Sequence, residues 1–360
     1  MNALAYRQPP APLLAAVPTC QQRVDACVRR LVARPDLPVL PCNMHGLLAA
    51  AESETTSFAG LARFVSLDLG LTAKVLRVVN SGQYASRMAA SPVPSVSRAV
   101  SMLGIDAVAE FAATALSAAQ TATGLSGVKP LMLTSLITAH HARQVALRAR
   151  FPWLEDAFLC GMLRNLGEVL VAYHLPEEYA TILREMCQGS DERTACFRVL
   201  EFSYEDLGKG MARQWNLPER PGQCMERWET FQCRSASGID RLRMVTNFSH
   251  GLTEAVYRRD PAESHSRLSL LIDRFGDALG LAECDLKAIV KLAAGDAKDV
   301  FEASGIPVSD LRLGRQVELA RLEPEPSARA AGASAGNPGE SLEPREGQAR
   351  NRLFRRFARL

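Results

Sequence analysis

From residue 21 onward, apolar side chains recur every three or four positions, the spacing of one face of an α-helix. Val24, Cys27, Val28 and Leu31 predict a helix from about Gln21 to Arg34, which Leu37-Pro38-Val39-Leu40-Pro41 closes. Ser57 is placed to cap a helix carrying Phe58, Leu61, Ala62 and Val65. Asp68 is placed to cap a second, with Leu71, Val75, Val78 and Val79, and Asn80-Ser81-Gly82 stops it through a left-handed C-cap. Asp106 opens a helix with Val108, Phe111, Ala112 and Ala115 inward. Residues 124–130 read as a loop, followed by a long helix from about Leu131 to Arg150. The strongest stripe, Phe158, Leu159, Met162, Leu163, Leu166, Val169, Leu170 and Tyr173, predicts one continuous helix ended by Pro176. Further helices are expected over 180–188 and 195–215, the last halted by Asn216-Leu217-Pro218. Amphipathic helices then run from 238 to about 320, as in Leu268, Leu271, Ile272, Phe275 and Leu279. No alternating strand pattern, hairpin signal or 20–50-residue repeat interrupts this rhythm. The fold class is all-α, a multi-helix bundle.

Composition refines the division of the chain. Residues 1–20, rich in Pro and Ala, read as a flexible N-terminus, 21–235 as the main helical domain and 236–321 as a C-terminal helical extension. The Pro-, Gly-, Ser- and Glu-rich stretch 322–348 reads as a disordered linker and 349–360 as a basic tail. Aromatic residues are only 6% of the chain, so Ala, Leu and Val must build the core, which suits close-packed helices. With 42 basic and 39 acidic residues the net charge is +3, too balanced for a general nucleic-acid footprint. Nine cysteines without a C-x-x-C pair read as reduced thiols, Cys160 among them as a small buried hydrophobe. No apolar run approaches the roughly 20 residues of a membrane helix, and no signal peptide is legible, so a cytoplasmic location is expected.

The sequence holds no G-x-x-x-x-G-K-[ST], G-x-G-x-x-G, G-x-S-x-G or H-E-x-x-H motif. The adjacent His140 and His141 are the best candidates for metal ligands, but a site would need further ligands from other helices. Packed or capping histidines are the plainer alternative.

The segment Cys160-Gly161-Met162-Leu163-Arg164-Asn165-Leu166-Gly167 resembles the central helix of HD-type metal-dependent phosphohydrolases. In those enzymes a His-Asp pair occupies the positions held here by Arg164 and Asn165. The flanking motifs resemble the HDOD family in particular. They are Leu37-Pro38 and Leu40-Pro41, then Asp68 with Leu71-Thr72, then Leu76-Arg77 through Asn80-Ser81-Gly82-Gln83-Tyr84. Leu103-Gly104, Leu166-Gly167, Leu207-Gly208 and Trp215-Asn216-Leu217-Pro218 continue the series, so that the resemblance spans about 33–230. The chain departs from the family where Tyr204 replaces a frequent histidine and where Cys224-Met225-Glu226-Arg227-Trp228 replaces paired histidines. An arginine cannot shed its proton to become a ligand, and a neutral amide is a weak oxygen donor. Of the ligand set only His140 or His141 remains, and one ligand does not make a site.

The resemblance implies a non-enzymatic regulatory protein of bacterial signal transduction, needing no cofactor and acting on signalling proteins. The alternative is a metal-dependent phosphohydrolase with rearranged ligands. A nucleotide ligand in the emptied cleft is a further option, and general nucleic-acid binding is not expected. Asp68, Asn80, Ser81 and Tyr84 are either helix caps and turn formers or the lining of a recognition groove. If helical, the C-terminus sets Leu353, Phe354, Phe357 and Leu360 opposite Arg352, Arg355, Arg356 and Arg359. That pattern suits weak contact with an anionic membrane surface or an acidic partner, a solvated basic tail being the alternative.

Overall fold

The computed structural model describes residues 18–34, 36–82, 92–121, 125–228, 237–258 and 261–306. The linker over 322–348, the basic tail, Tyr84 and Cys233 lie outside the described residues. Among those described, every regular element is helical.

The N-terminal part consists of α1 (Cys20–Val32), α2 (Pro41–Ala51), α3 (Phe58–Ser66), α4 (Leu69–Val79), α5 (Val96–Leu103) and α6 (Ile105–Thr121). Helix α1 begins inside the stretch expected to be flexible, because Thr19 and Gln22 form a reciprocal capping box at its start. Ser57 and Asp68 cap α3 and α4 as expected. Asn80 ends α4 with φ −92° and ψ 3°, not in the left-handed region, so the stop is made by other means, described below.

The central part differs from the sequence expectation in three places. Helix α7 runs over Leu125–Arg148, taking in the stretch read as a loop. Pro130 lies close to its N-terminus, and the Thr134 hydroxyl bonds the Pro130 carbonyl at 2.9 Å. The stripe from Phe158 to Tyr173 is two helices, α8 (Leu154–Leu163) and α9 (Leu166–His174), broken at Arg164-Asn165. After α10 (Pro176–Cys187), the stretch expected to be one helix over 195–215 is likewise two, α11 (Glu192–Leu200) and α12 (Tyr204–Gln214). The chain turns there at Glu201, in the left-handed conformation with φ 66°, and Ser203 caps α12. Both breaks preserve the apolar period, which is why periodicity alone does not reveal them.

The short α13 (Glu219–Cys224) leads to the extension: α14 (Gly238–Thr253), a π-helical segment Glu254–Arg258, α15 (Pro261–Leu279) and α16 (Glu283–Ser304). This extension is not a separate body. Helices α14 and α16 both pack on α7, and Ala293, Ala297, Val300 and Phe301 of α16 enter the main core. Val145 and Ala146 at the far end of α7 join a second core with Phe248, Phe275 and Ile289. At the end of α16, the Lys129 ammonium bonds the Ser304 carbonyl.

Two glycines permit the closest backbone contacts. A Cβ on Gly70 would collide with the Pro38 carbonyl oxygen, and one on Gly167 would collide with that of Tyr204. The first lets α4 abut the proline-rich joint. The second lets α9 cross α12 beside the Arg164-Asn165 break.

Candidate functional site

The proline joint is the better finished of the two places to which the motifs lead. Asp68 is fully buried, and its two oxygens accept from the backbone N–H groups of Leu71 at 2.9 Å and Leu40 at 2.6 Å. Its role as cap of α4 therefore extends to anchoring the Leu37–Pro41 strap. Burial pushes its carboxyl up to about 6, against the pull of the Leu40, Leu71 and Gly70 N–H donors. Asn43 donates to the Leu67 carbonyl at 2.9 Å and Thr72 to that of Val65 at 2.8 Å.

Asn80 is buried and uses both ends of its amide on one residue. The Val93 N–H donates to Oδ1 at 2.6 Å, and Nδ2 donates to the Val93 carbonyl at 3.4 Å. This clasp across residues 81–92 is how α4 stops without a left-handed residue. Ser81 bonds back to the Val78 carbonyl at 2.7 Å. Asp68, Asn80 and Ser81 thus direct their polar atoms at backbone.

At the break between α8 and α9, Arg164 is buried and its Nη2 donates to Glu205 Oε1 at 3.1 Å. Glu205 comes from the first turn of α12, whose start is set by the Ser203–Asp206 capping box. Burial raises its pKa, but Arg164, a backbone bond and the nearby His250 outweigh that, leaving its carboxyl below the usual range. Asn165 occupies the N-cap position of α9 without making a side-chain capping bond. The Arg164 Nε, Asn165 Nδ2 and Tyr204 hydroxyl are buried without a hydrogen-bond partner among the described residues. Burial, first, and the neighbouring Cys196 push the Tyr204 phenol well above its ordinary pKa. Glu168, also buried, accepts from the Tyr179 hydroxyl at 3.2 Å.

The two histidines of α7 are drawn into different contacts by the extension. His141 Nδ1 lies 2.8 Å from Thr253 Oγ1 of α14, and its ring stacks on Tyr257 of the π-helical segment with centroids 5.8 Å apart. Burial, then the adjacent His140, lowers its pKa to about 3, so the ring is neutral. His140 meets Phe158 edge-on at 5.2 Å, and its Nδ1 lies 3.7 Å from Asp296 Oδ2 on α16. Asp296 also accepts from Gln144 at 3.1 Å. Neither ring nitrogen of His140, nor Nε2 of His141, has a hydrogen-bond partner among the described residues.

These residues do not fit the divalent cation that HD-type chemistry requires. Arg164 is permanently cationic and already engages the nearest carboxylate, Glu205, while Asn165 presents a neutral amide. The histidines face Thr253 and Asp296 of the extension. Among the described residues, no three His, Cys, Asp or Glu side chains converge on a common point.

Sequence reasoning singled out Arg164 and Asn165 but missed Glu205, Thr253 and Asp296, which lie 41 to 156 positions away along the chain. A buried arginine demands a buried acid, yet nothing in the sequence distinguishes Glu205 from its neighbour Asp206. The four C-terminal arginines and the tail's apolar residues lie outside the described residues.

The sequence pattern described as the HDOD domain matches residues 37–229. An uncharacterized protein of Treponema pallidum (strain Nichols) is 24% identical over 190 residues, which are 51% of this chain and 36% of that protein. The chain therefore spans little more than a third of that relative's length. Among solved structures, the MmoQ response regulator from Methylococcus capsulatus str. Bath superposes with a TM-score of 0.57 at 20% identity, covering 71% of this chain and 98% of that one. A virulence factor from Campylobacter jejuni subsp. jejuni gives 0.53 at 14% identity, covering 76% and 99%. At these identities the structural likeness speaks to the fold. Because the family pattern runs from the Leu37-Pro38 joint through the Arg164 break and past the α13 helix, over more than half of the sequence, this chain belongs to the HDOD domain family.

Proposed function

We propose that this protein is a non-enzymatic regulatory module of bacterial signal transduction, acting by binding signalling proteins. The observation that carries this reading is the ion pair between buried Arg164 and half-buried Glu205, at the place where the family resemblance sets a His-Asp metal pair. A guanidinium beside a divalent ion is repelled at short range in a poorly screened interior, so the pair is incompatible with that chemistry. Family membership and a fold shared with a response regulator support a regulatory role. Any protein or nucleotide ligand recognised by the module, and a cytoplasmic location, belong to the same proposal.

The test is a phosphodiesterase and phosphatase assay on purified protein with added Mn2+, Mg2+ or Zn2+, alongside metal analysis and affinity capture from the native host. The expected result is no metal-dependent turnover, no stoichiometric metal and a reproducible signalling partner. Stoichiometric metal with turnover that Arg164→Ala abolishes would overturn the proposal in favour of a phosphohydrolase with rearranged ligands.

A further inference from the structure

Two buried thiols face each other across the contact between α8 and α13. Cys160 lies in the last turns of α8, Cys224 ends α13, and both belong to the second core. One turn before each on its own helix stand Asp156 and Arg220, which form an ion pair, with the Arg220 guanidinium also 4.9 Å from the centre of the Trp153 ring. That pair ties the two helices together one turn before each of the two thiols. The two thiols lie on this helix contact and share one core, where each is a near neighbour of the other.

We propose that Cys160 and Cys224 are a modification site, a dithiol that a peroxide oxidises to an intramolecular disulfide. Both S–H bonds break and one S–S bond forms. The two electrons released reduce the peroxide O–O bond, and the two protons complete two molecules of water when the oxidant is hydrogen peroxide. Both thiols are buried, Cys160 1% exposed and Cys224 fully enclosed. Burial, first, and the second thiol push the Cys160 pKa well above its ordinary value, which keeps the thiolate scarce and the closed pair slow to react. Oxidation is therefore gated by opening of the α8–α13 contact. Once formed, the bond closes a covalent loop that contains both Arg164 and Glu205 and so restricts the unfolded chain across that ion pair.

The experiment treats the full chain with hydrogen peroxide, in native buffer and again a few degrees below its melting midpoint. Remaining thiols are then alkylated under denaturing conditions, and the digest is analysed by mass spectrometry. The expected product is a linked peptide pair carrying Cys160 and Cys224, about 2 Da lighter than the two thiol peptides together. The oxidised protein should melt on the order of 5–10 °C above a dithiothreitol-reduced sample, and Cys224→Ala should remove that difference. Recovery of the two residues as alkylated thiols or over-oxidised acids under both conditions would overturn the proposal. So would their linkage to Cys233, Cys284 or any other cysteine instead of to each other.

Discussion

Around Asp68, buried polar side chains are paired with backbone: Asp68 to Leu40 and Leu71, Asn43 to Leu67, Thr72 to Val65, Asn80 to Val93. Around Arg164 and the α7 histidines, polar atoms of His140, His141, Gln144, Arg164, Asn165, Tyr204 and Ser249 are buried without partners. Among the described residues, no such orphan precedes His140. Both regions are built from polar residues at helix ends and on helix faces, yet only one has its bonds closed. A buried polar group left unbonded costs about 1–3 kcal/mol, so a run of them is not an ordinary packing solution. The lesson is that the Asp68 region is a structural joint. The Arg164 region keeps several polar atoms open beside its few closed contacts, Arg164 to Glu205, His141 to Thr253 and Gln144 to Asp296.

The largest test of that contrast is removal of Arg164. Arg164→Ala leaves the half-buried Glu205 without its partner and should cost about 3 kcal/mol in denaturant unfolding, the lower end for a buried pair, whereas the double replacement Arg164→Met with Glu205→Gln should be close to neutral. If the double variant is as unstable as the single one, the ion pair is embedded in a network as closed as that at Asp68. Next, Asp68→Ala leaves the Leu40 and Leu71 N–H groups without acceptors and should cost about 2–3 kcal/mol, with no compensating second substitution available because the partners are backbone. A loss below about 0.5 kcal/mol would show the joint to be dispensable.

The smallest expected effect is the most discriminating, because the two regions respond to acid with opposite signs. His141 is neutral when folded, with a pKa near 3 against an ordinary 6.5. Its contribution is complete above 6.5 and declines as the pH falls toward 3, by about 2 kcal/mol between pH 6.5 and 5. Asp68 has its folded pKa raised from 3.8 to about 6, so its contribution is present below 3.8 and lost as the pH rises through 6. His141→Gln should therefore flatten the loss of melting temperature between pH 7.5 and 5, and Asp68→Asn should steepen it. Parallel pH profiles in the two variants and the parent protein would contradict this assignment.

Much of the fold was legible. Ser57 and Asp68 announce helix starts because an N-cap needs only a short acceptor before an apolar period. The all-helical class follows from a 3.6-residue rhythm that persists along most of the chain. The breaks at Arg164-Asn165 and Glu201 were not legible, since a turn that keeps the apolar residues in phase leaves the period intact. The start of α7 at Leu125 was hidden by Pro130, which reads as a stop although α7 runs through it as an internal proline. Of the candidate site, Arg164 and Asn165 stood out through their place in a motif, while Glu205, Thr253 and Asp296 did not.

The sequence by itself determined that a guanidinium and a neutral amide occupy positions 164 and 165, because side-chain identity settles what each can donate wherever it lies. Only the tertiary structure decided what these side chains meet: Glu205 on Arg164, Thr253 and Asp296 on the two histidines, Cys224 in one core with Cys160. Those pairings depend on which faces of distant helices meet, and that is set by the packing of the whole apolar core rather than by any local run of residues.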